Sequence, residues 1–482
     1  MKQNYITTFL LSLFILNGLN AQNQNYLMDA SFGNSGYTIL PTTMPRVLSI
    51  DLFSGSKIRI TGFNSSVSSD DGHKTVQLLS TGLLDTGFSS DGIESGTPTF
   101  FRKKSATAIN NNTEVLIMGR DYTPEFKYKI IKLKNNGSSD LNFGNSGVVM
   151  SPKDGLDEDP GFIVQLLDGS FIFSNKSSYT TSIKSLSSNG SITNTLHNSY
   201  AGSANEFQSY CKTKTGKILF AGTSFSTKSN STTNMYHFLN ADASSLRLVY
   251  QDDKQDIGSQ AIISATYDEV NQIFVVLENY YSSTSDARYH LKTFDSEGVF
   301  ISKYTYREAD FGCAPIKTIT FGGFTYVVGV DLSFNLKIAK MDQNGEFNSS
   351  FGNNGIATID IKENITNIDA ITSDNLNSIF VASGNSSTNV ALAMKINVSN
   401  TLGIDDHTVN NLNYFVFPNP TKGVINFKEK VDKAVLFDIN GKVIKDFKDV
   451  NDADLSQFQN GMYFINLTTD GKSSTKKIIL KK

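Results

Sequence analysis

The sequence predicts an all-β chain: a seven-bladed β-propeller of four-stranded repeats about 53 residues long, followed by a small C-terminal β-sandwich. Three observations carry that expectation. An apolar strand recurs seven times at even spacing. A Phe-Gly-Asn turn recurs in step with it. The last 70 residues then change both charge sign and turn spacing.

The apolar strand begins at Lys57-Ile58-Arg59-Ile60-Thr61-Gly62 and returns at Glu114–Gly119, Ser170–Asn175 and Lys217–Gly222. Further copies are Gln272–Leu277, Phe324–Gly329 and Ser378–Ser383; from Gly62 to Ser383 is 321 residues over six steps. The partner strand after it alternates and ends in a turn: Lys74–Leu79 runs to Gly82, Tyr128–Leu133 to Asn136-Gly137, and Leu336–Met341 to Asn344-Gly345. Alternation between two turn signals predicts a half-buried antiparallel strand. The apolar run before it reads as a buried inner strand. Two further strands fit in each unit, such as Ile356–Ile359 and Ile368–Ile371.

One four-stranded sheet cannot bury both its faces. Seven packed face to face about an axis can, and the repeat length is near that of kelch units and above that of WD40 units. Separate two-sheet sandwiches would need about 100 residues each.

The turn motif is Ser31-Phe32-Gly33-Asn34-Ser35-Gly36, repeated at Asn142–Gly147 and Ser350–Gly355, with a weaker copy at Gly87–Gly92. From Phe32 to Phe88 is 56 residues, then 55 to Phe143, and 208 (four steps of 52) to Phe351. The expected role is local: Phe fills space between blades and the glycines take dihedrals closed to other residues. Residues 26–36 repeat the end of a unit without its beginning, so they are expected to complete the last blade and close the ring.

The ends differ from this middle. Lys2, the apolar run Phe9–Leu16 and the break at Asn17-Gly18 before Ala21 read as a signal peptide over 1–21. The run is too short to span a bilayer, which takes about 20 apolar residues. The propeller is then 22–404, with a linker at 405–412. From Asn413 to Lys482 there are 12 Lys and 8 acids, a charge of +4 against −7 for the rest. This tail alternates short strands with turns: Tyr414–Phe417 stops at Pro418 and Pro420, and Ala434–Ile439 meets Asn440-Gly441, a hairpin dipeptide.

Two resemblances follow. Residues 413–482 resemble the type A sorting domain of the type IX secretion system of Bacteroidetes. The match rests on Phe417-Pro418-Asn419-Pro420-Thr421-Lys422-Gly423, Leu436-Phe437-Asp438-Ile439-Asn440-Gly441-Lys442, Gly461 and Tyr463, and the Lys-Lys-Ile-Ile end. It implies recognition by the secretion machinery through a signal that includes Pro418, Asn419, Pro420, Gly423, Asp438, Gly441, Gly461 and Tyr463. Delivery to the cell surface or the medium follows. Leu27–Gly36, Leu141–Gly147 and Phe347–Gly355 resemble the delta-60 repeat of secreted bacterial propellers; between 190 and 302 only the spacing of strands and turns survives.

No catalytic, cofactor or metal residue is assigned. Asp154–Gly161 is the densest acidic run, whose oxygens could hold calcium, but it lacks the distal Glu of a calcium loop and reads as a solvated loop. Asp342-Gln343-Asn344-Gly345-Glu346 has calcium-like spacing where every other copy has a hairpin turn. His73, His197, His237, His290 and His407 form no ligand pair, and no nucleophile elbow occurs. Cys211 and Cys313 could be buried thiols or a bridge. A net charge of −3 excludes a global basic field for nucleic acid. The expected function is non-catalytic binding of a protein or glycan by a monomer with no transmembrane segment. A polysaccharide lyase or hydrolase with its site in the channel, or a structural adhesion role, is the alternative. The absence of Trp weighs modestly against sugar stacking.

Overall fold

The computed structural model describes residues 27–398 and 416–482, apart from 54–55, 64–71, 97–100, 122–126, 151–158, 177–180, 199–202, 227–230, 253–258, 282–286, 362, 364, 386–387, 439–441 and 470–471. The expected signal peptide, the linker at 405–412, His407 and most of the acidic run at 154–161 lie outside the described residues. The chain divides into two compact units, one ending at Asn400 and one beginning at Thr401.

Among the described residues the first unit contains seven four-stranded antiparallel sheets. The first is Arg46–Phe53, Lys57–Phe63, His73–Leu78 and Ile93–Ser95, hydrogen-bonded in chain order. Sheets two to six repeat this order and open with Phe101–Ile109, Asp159–Gln165, Ser203–Lys212, Ser259–Asp268 and Ala314–Phe321. The seventh takes three strands from Ala370–Ser373, Ser378–Asn385 and Val390–Asn397, and its fourth from the chain's beginning. The opening strands pack one against the next from sheet to sheet, and Arg46–Phe53 packs back on the seventh sheet. This is a β-propeller.

The repeated apolar run is buried as expected, because both its faces meet neighbouring sheets: Ile58, Ile60, Val115, Ile117, Phe220 and Val276 are all fully buried. It is not the innermost strand, however. That place belongs to the strand before it, whose sequence is less apolar because it edges the axis. In each of the first six sheets the pairing of these two strands shifts register, as between Val47 and Ser49 or Phe207 and Ser209. Such a bulge leaves one residue unpaired and re-aims its side chain.

Ring closure is built from the N-terminal segment, with the paired strand just beyond 26–36. Tyr37–Ile39 pairs with Leu392–Met394, Asp29 N–H donates to the Lys395 carbonyl at 3.0 Å, and the Asp29 carboxylate sits 2.6 Å from Lys395 Nζ. Without it Val390–Asn397 would present an open edge.

The Phe-Gly-Asn turn has one geometry in all three full copies. Asn34, Asn145 and Asn353 donate to the carbonyls of Tyr37, Val148 and Ile356 at 2.7–2.8 Å. Gly33, Gly144 and Gly352 have φ near +60°, and a Cβ at each would fall 2.2–2.3 Å from that same carbonyl oxygen. No other residue fits there. The preceding Phe32 and Phe143 are buried, edge-on to Phe380 and Phe171.

The second unit is a small β structure of Val416–Phe417, Val424–Phe437, Val443–Asp454, Gly461–Thr469 and Lys472–Leu480. Alternate residues Ile425, Phe427, Val431, Leu436, Ile465, Leu467, Ile478 and Leu480 form its core.

Candidate functional site

Two places concentrate functional groups: the motif end of the tail, and the polar seams of the ring. In the tail, the two prolines stop strand pairing, so Asn419 is free to act through its side chain. Its Nδ2 donates to the Lys477 carbonyl at 2.6 Å and its Oδ1 accepts from Ile479 N–H at 2.9 Å. Thr421, part of the matched segment though not of the expected signal residues, is buried; its N–H donates to Ile479 O, its carbonyl accepts from Lys481 N–H, and its hydroxyl donates to Val424 O. The Gly423 N–H returns to the Thr421 hydroxyl, and a Cβ on Gly423 would press on Ser456 at 3.1 Å. The segment 417–423 and the Lys-Lys-Ile-Ile end, 58 residues apart, are thus one clamp.

Tyr463 donates its hydroxyl to Gln459 O at 2.8 Å and packs against Phe458. Asp438 closes its hairpin by accepting from Lys442 N–H at 2.9 Å. Gly441 lies outside the described residues. Gly461 opens its strand on the exposed side, with no close neighbour a Cβ would meet. The structure therefore joins Asn419, Gly423 and the C-terminal strand, and leaves Asp438 and Tyr463 as separate turn anchors. Pro418 and Pro420 flank the clamp and stay exposed.

In the ring, a charged cluster fills the seam between the fourth and fifth sheets. Lys292 Nζ lies 2.5 Å from Asp252 Oδ1 and 2.7 Å from Glu278 Oε1. Glu278 Oε2 accepts from the Tyr236 hydroxyl at 2.5 Å and from the Asn234 amide; His290 Nδ1 is 3.2 Å from Oε1. Lys292 is 0% exposed and Glu278 1%. Burial alone would raise Glu278, but the His290 hydrogen bond and the Lys292 charge outweigh it and hold the carboxyl at about 2. Asp252 goes the other way: burial and repulsion from Glu278 raise it above the usual range despite Lys292. Burial likewise works against the Lys292 charge, yet the two carboxylates carry it above the ordinary lysine value. Each charge faces an opposite one inside the protein, which makes this a lock between sheets. Glu278 interrupts the apolar strand Ile273–Tyr281, where it faces His290 of Ala287–Asp295, while Lys292 faces Val276 two positions along.

Asp51 on the innermost strand of the first sheet is different. Burial pushes it up to about 6, against the pull of the Ser49 hydroxyl and of Arg59. Its Oδ2 and the Ser49 Oγ have no hydrogen-bond partner. Tyr210, from the fourth sheet, donates to Ile163 O at 3.2 Å; burial and then the Asp51 charge hold its phenol protonated. Tyr210 feels the Asp51 charge, but no hydrogen bond joins the two.

Cys211 and Cys313 are free and buried, and burial pushes both thiols up, Cys313 to about 12, the state of inert core cysteines. Asp342 spends its Oδ1 on the N–H groups of Asn344 and Glu346, both at 2.9 Å, so the turn accounts for its calcium-like spacing. Among the described residues no cluster of His, Cys, Asp and Glu could hold a metal ion. His73 and His237 are buried singly; the His197 side chain lies outside the described set.

Residues 415–481 match the secretion system C-terminal sorting domain. The tail is an export address. The sorting domain marks a chain secreted through the type IX system to the cell surface or the extracellular space. Among the described residues no helix is long and apolar enough to cross a membrane. No curated protein matches the chain in sequence. Similar solved structures include the Nup133 β-propeller domain of Vanderwaltozyma polyspora (11% identity, 75% of this chain and 98% of that one, TM-score 0.44). The WD40 β-propeller domain of Doa1 (13%, 76% and 98%, 0.41) and the polysaccharide lyase Uly1 (11%, 75% and 92%, 0.42) are others. Enzymes and non-enzymes stand side by side among them, and at these scores none carries an argument about this chain.

Proposed function

We propose that this chain is a non-catalytic propeller, exported by the type IX system of a member of the Bacteroidetes, that binds a protein or glycan outside the cell. On this reading the ring is a monomeric, closed, seven-bladed propeller of the delta-60 repeat type over 22–404, preceded by a signal peptide and followed by a removable sorting domain at 413–482. The seven described sheets and the return contact between the seventh and the first support the blade count. What supports the non-catalytic part of this reading is the charged cluster at Lys292, whose titratable groups are paired with one another and work as a lock.

One observation favours a second reading, an enzyme acting on polysaccharide. It is Asp51, on the innermost strand of the first sheet, pushed up to about 6 and with one carboxylate oxygen lacking a hydrogen-bond partner. A single experiment separates the two. The purified mature chain is screened on protein and glycan arrays and, in parallel, for release of unsaturated or reducing ends from polysaccharides. Saturable binding without turnover supports the first reading. Turnover abolished by Asp51→Asn supports the second.

A further inference from the structure

The export motif separates into side chains that hold the fold and side chains for which the fold has no use. Asn419, Thr421 and Gly423 belong to the clamp. Phe417 is 51% exposed, Met462 42% and Ile479 38%. Met462 and Ile479 are direct cross-strand partners on the face away from the core, since Ile478 and Leu480 on either side of Ile479 point inward. Partners so placed lie about 5 Å apart at Cβ and form one continuous surface. The Asn419 hydrogen bonds to Lys477 and Ile479 bring Pro418 and Pro420 alongside this pair.

The rim of the patch is basic. On the long hairpin Lys430 and Lys433 face Asp449 and Asp446 at 3.8 Å, while Lys442 and Lys448 are exposed with no ion pair among the described residues. Lys422, Lys477 and Lys481, which flank the clamp, are exposed and form no ion pair among the described residues. An apolar floor with an unneutralised basic rim is the anatomy of a docking face whose partner carries the opposite charge.

We propose that Phe417, Pro418, Pro420, Met462 and Ile479 form the face by which the tail docks on the secretion machinery, and that the receiving surface is an apolar cleft edged with carboxylates. The inference rests on the tail being a sorting domain. Exposed motif residues then act by contact, whereas Asn419 acts by shaping the surface they share.

The test follows the full-length chain in a bacterium carrying the type IX system. Surface and medium are compared with the periplasm, and the purified chain is melted in parallel. Met462→Thr with Ile479→Thr keeps strand-forming residues and removes the apolar surface. Loss of two apolar anchors that docking would bury should cut export at least about tenfold with the tail's melting unchanged; full export would overturn the proposal. Met462→Gln, a change of similar length at one exposed position, keeps the test readable if the double variant melts early: lowered export supports the docking face, wild-type export overturns it. Lys422, Lys477 and Lys481 are together changed to Glu. Blocked export supports the acidic cleft, and normal export overturns that half. A chain ending at residue 412 serves as the reference. If it is exported like the full chain, the sorting reading itself fails. If it is retained while the patch variants pass, only the docking face fails.

Discussion

Removing the Lys292 ammonium should destabilise the ring far more than any surface charge change. The side chain is fully buried, with Asp252 oxygens at 2.5 and 2.7 Å and Glu278 at 2.7 Å. Lys292→Met keeps the volume and the apolar stem but leaves two carboxylates facing each other without a cation. Breaking a buried pair in this way costs about 3–5 kcal/mol. The Glu278 titration gives an independent figure. Its carboxyl falls from 4.5 unfolded to about 2 folded, which at about 1.4 kcal/mol per tenfold in proton affinity is roughly 3 kcal/mol of stability. A depressed carboxylate contributes fully above its unfolded pKa, so this stability is present above about 4.5 and fades as pH falls toward 2. In Lys292→Met the two acids can share a proton only by rising, so the variant should gain more stability than the wild type as pH falls from 7 to 5. Denaturant unfolding of both chains across pH 3–8 measures this. A loss below about 1 kcal/mol at pH 7, or parallel pH profiles, would refute the view that the cluster locks the seam.

Three further outcomes follow from the same structure. His73 is buried with neither ring nitrogen hydrogen-bonded, and burial, aided by Lys129, lowers it from 6.5 to about 4. The folded state therefore resists the proton that the unfolded chain accepts, so stability should decline by roughly 3 kcal/mol between pH 6.5 and 4, and His73→Phe should flatten that slope in pH-dependent melts. Gly144→Ala should cost more than about 1 kcal/mol, read as a lower midpoint in urea, because φ is +63° and the new methyl would stand 2.3 Å from Val148 O. Deleting residues 22–40 removes the Tyr37–Ile39 pairing and the Asp29–Lys395 ion pair. The ring should melt earlier and self-associate through the bared edge Val390–Asn397, visible by light scattering.

The fold was legible because each repeat must solve the same burial problem, and a repeated solution shows as a period. Ile60, Ile117, Phe173 and Phe220 come at matching positions because each lies between two sheets. The innermost strand was harder to read. It edges the axis, so its residues alternate between small polar ties and partly buried groups, as in Ser264–Asp268 and Thr318–Phe321, and a bulge interrupts its period of two. In the tail, the turn residues named by the motif were legible because proline and glycine act locally. Thr421 and the Asn419 clamp were not, since their partners lie about 60 residues away. The Lys292 cluster was hidden for the same reason: Glu278 and Lys292 come from two strands of the fifth sheet and Asp252 from just past the last strand of the fourth, and in a chain with many loop acids no spacing marks them.

The stretch from 190 to 302, where the Phe-Gly-Asn turn has faded, shows how the ring tolerates that loss. At two seams the motif glycine donates its N–H to the turn that joins the third strand of the next sheet to its fourth: Gly33 to Thr81 O and Gly144 to Asn189 O, both at 2.7 Å. The copy at 87–92 has Ser89 in place of that glycine, and there Arg59 reaches across to Asn135 O at 2.6 Å. From the fourth sheet Arg247 reaches Glu297 O, and from the fifth Tyr306 reaches Gly345 O at 2.7 Å. The acceptor is the same turn in every case; only the donor has changed. A turn carbonyl wedged between two sheets needs a hydrogen bond, and any donor of the right reach satisfies it. What is kept along the ring is therefore the unsatisfied carbonyl and the gap beside the turn glycine, not the motif. This is why strand spacing persists through the faded repeats while their signature residues do not. It also places the strongest electrostatic tie, at Lys292, at a seam that has lost the glycine.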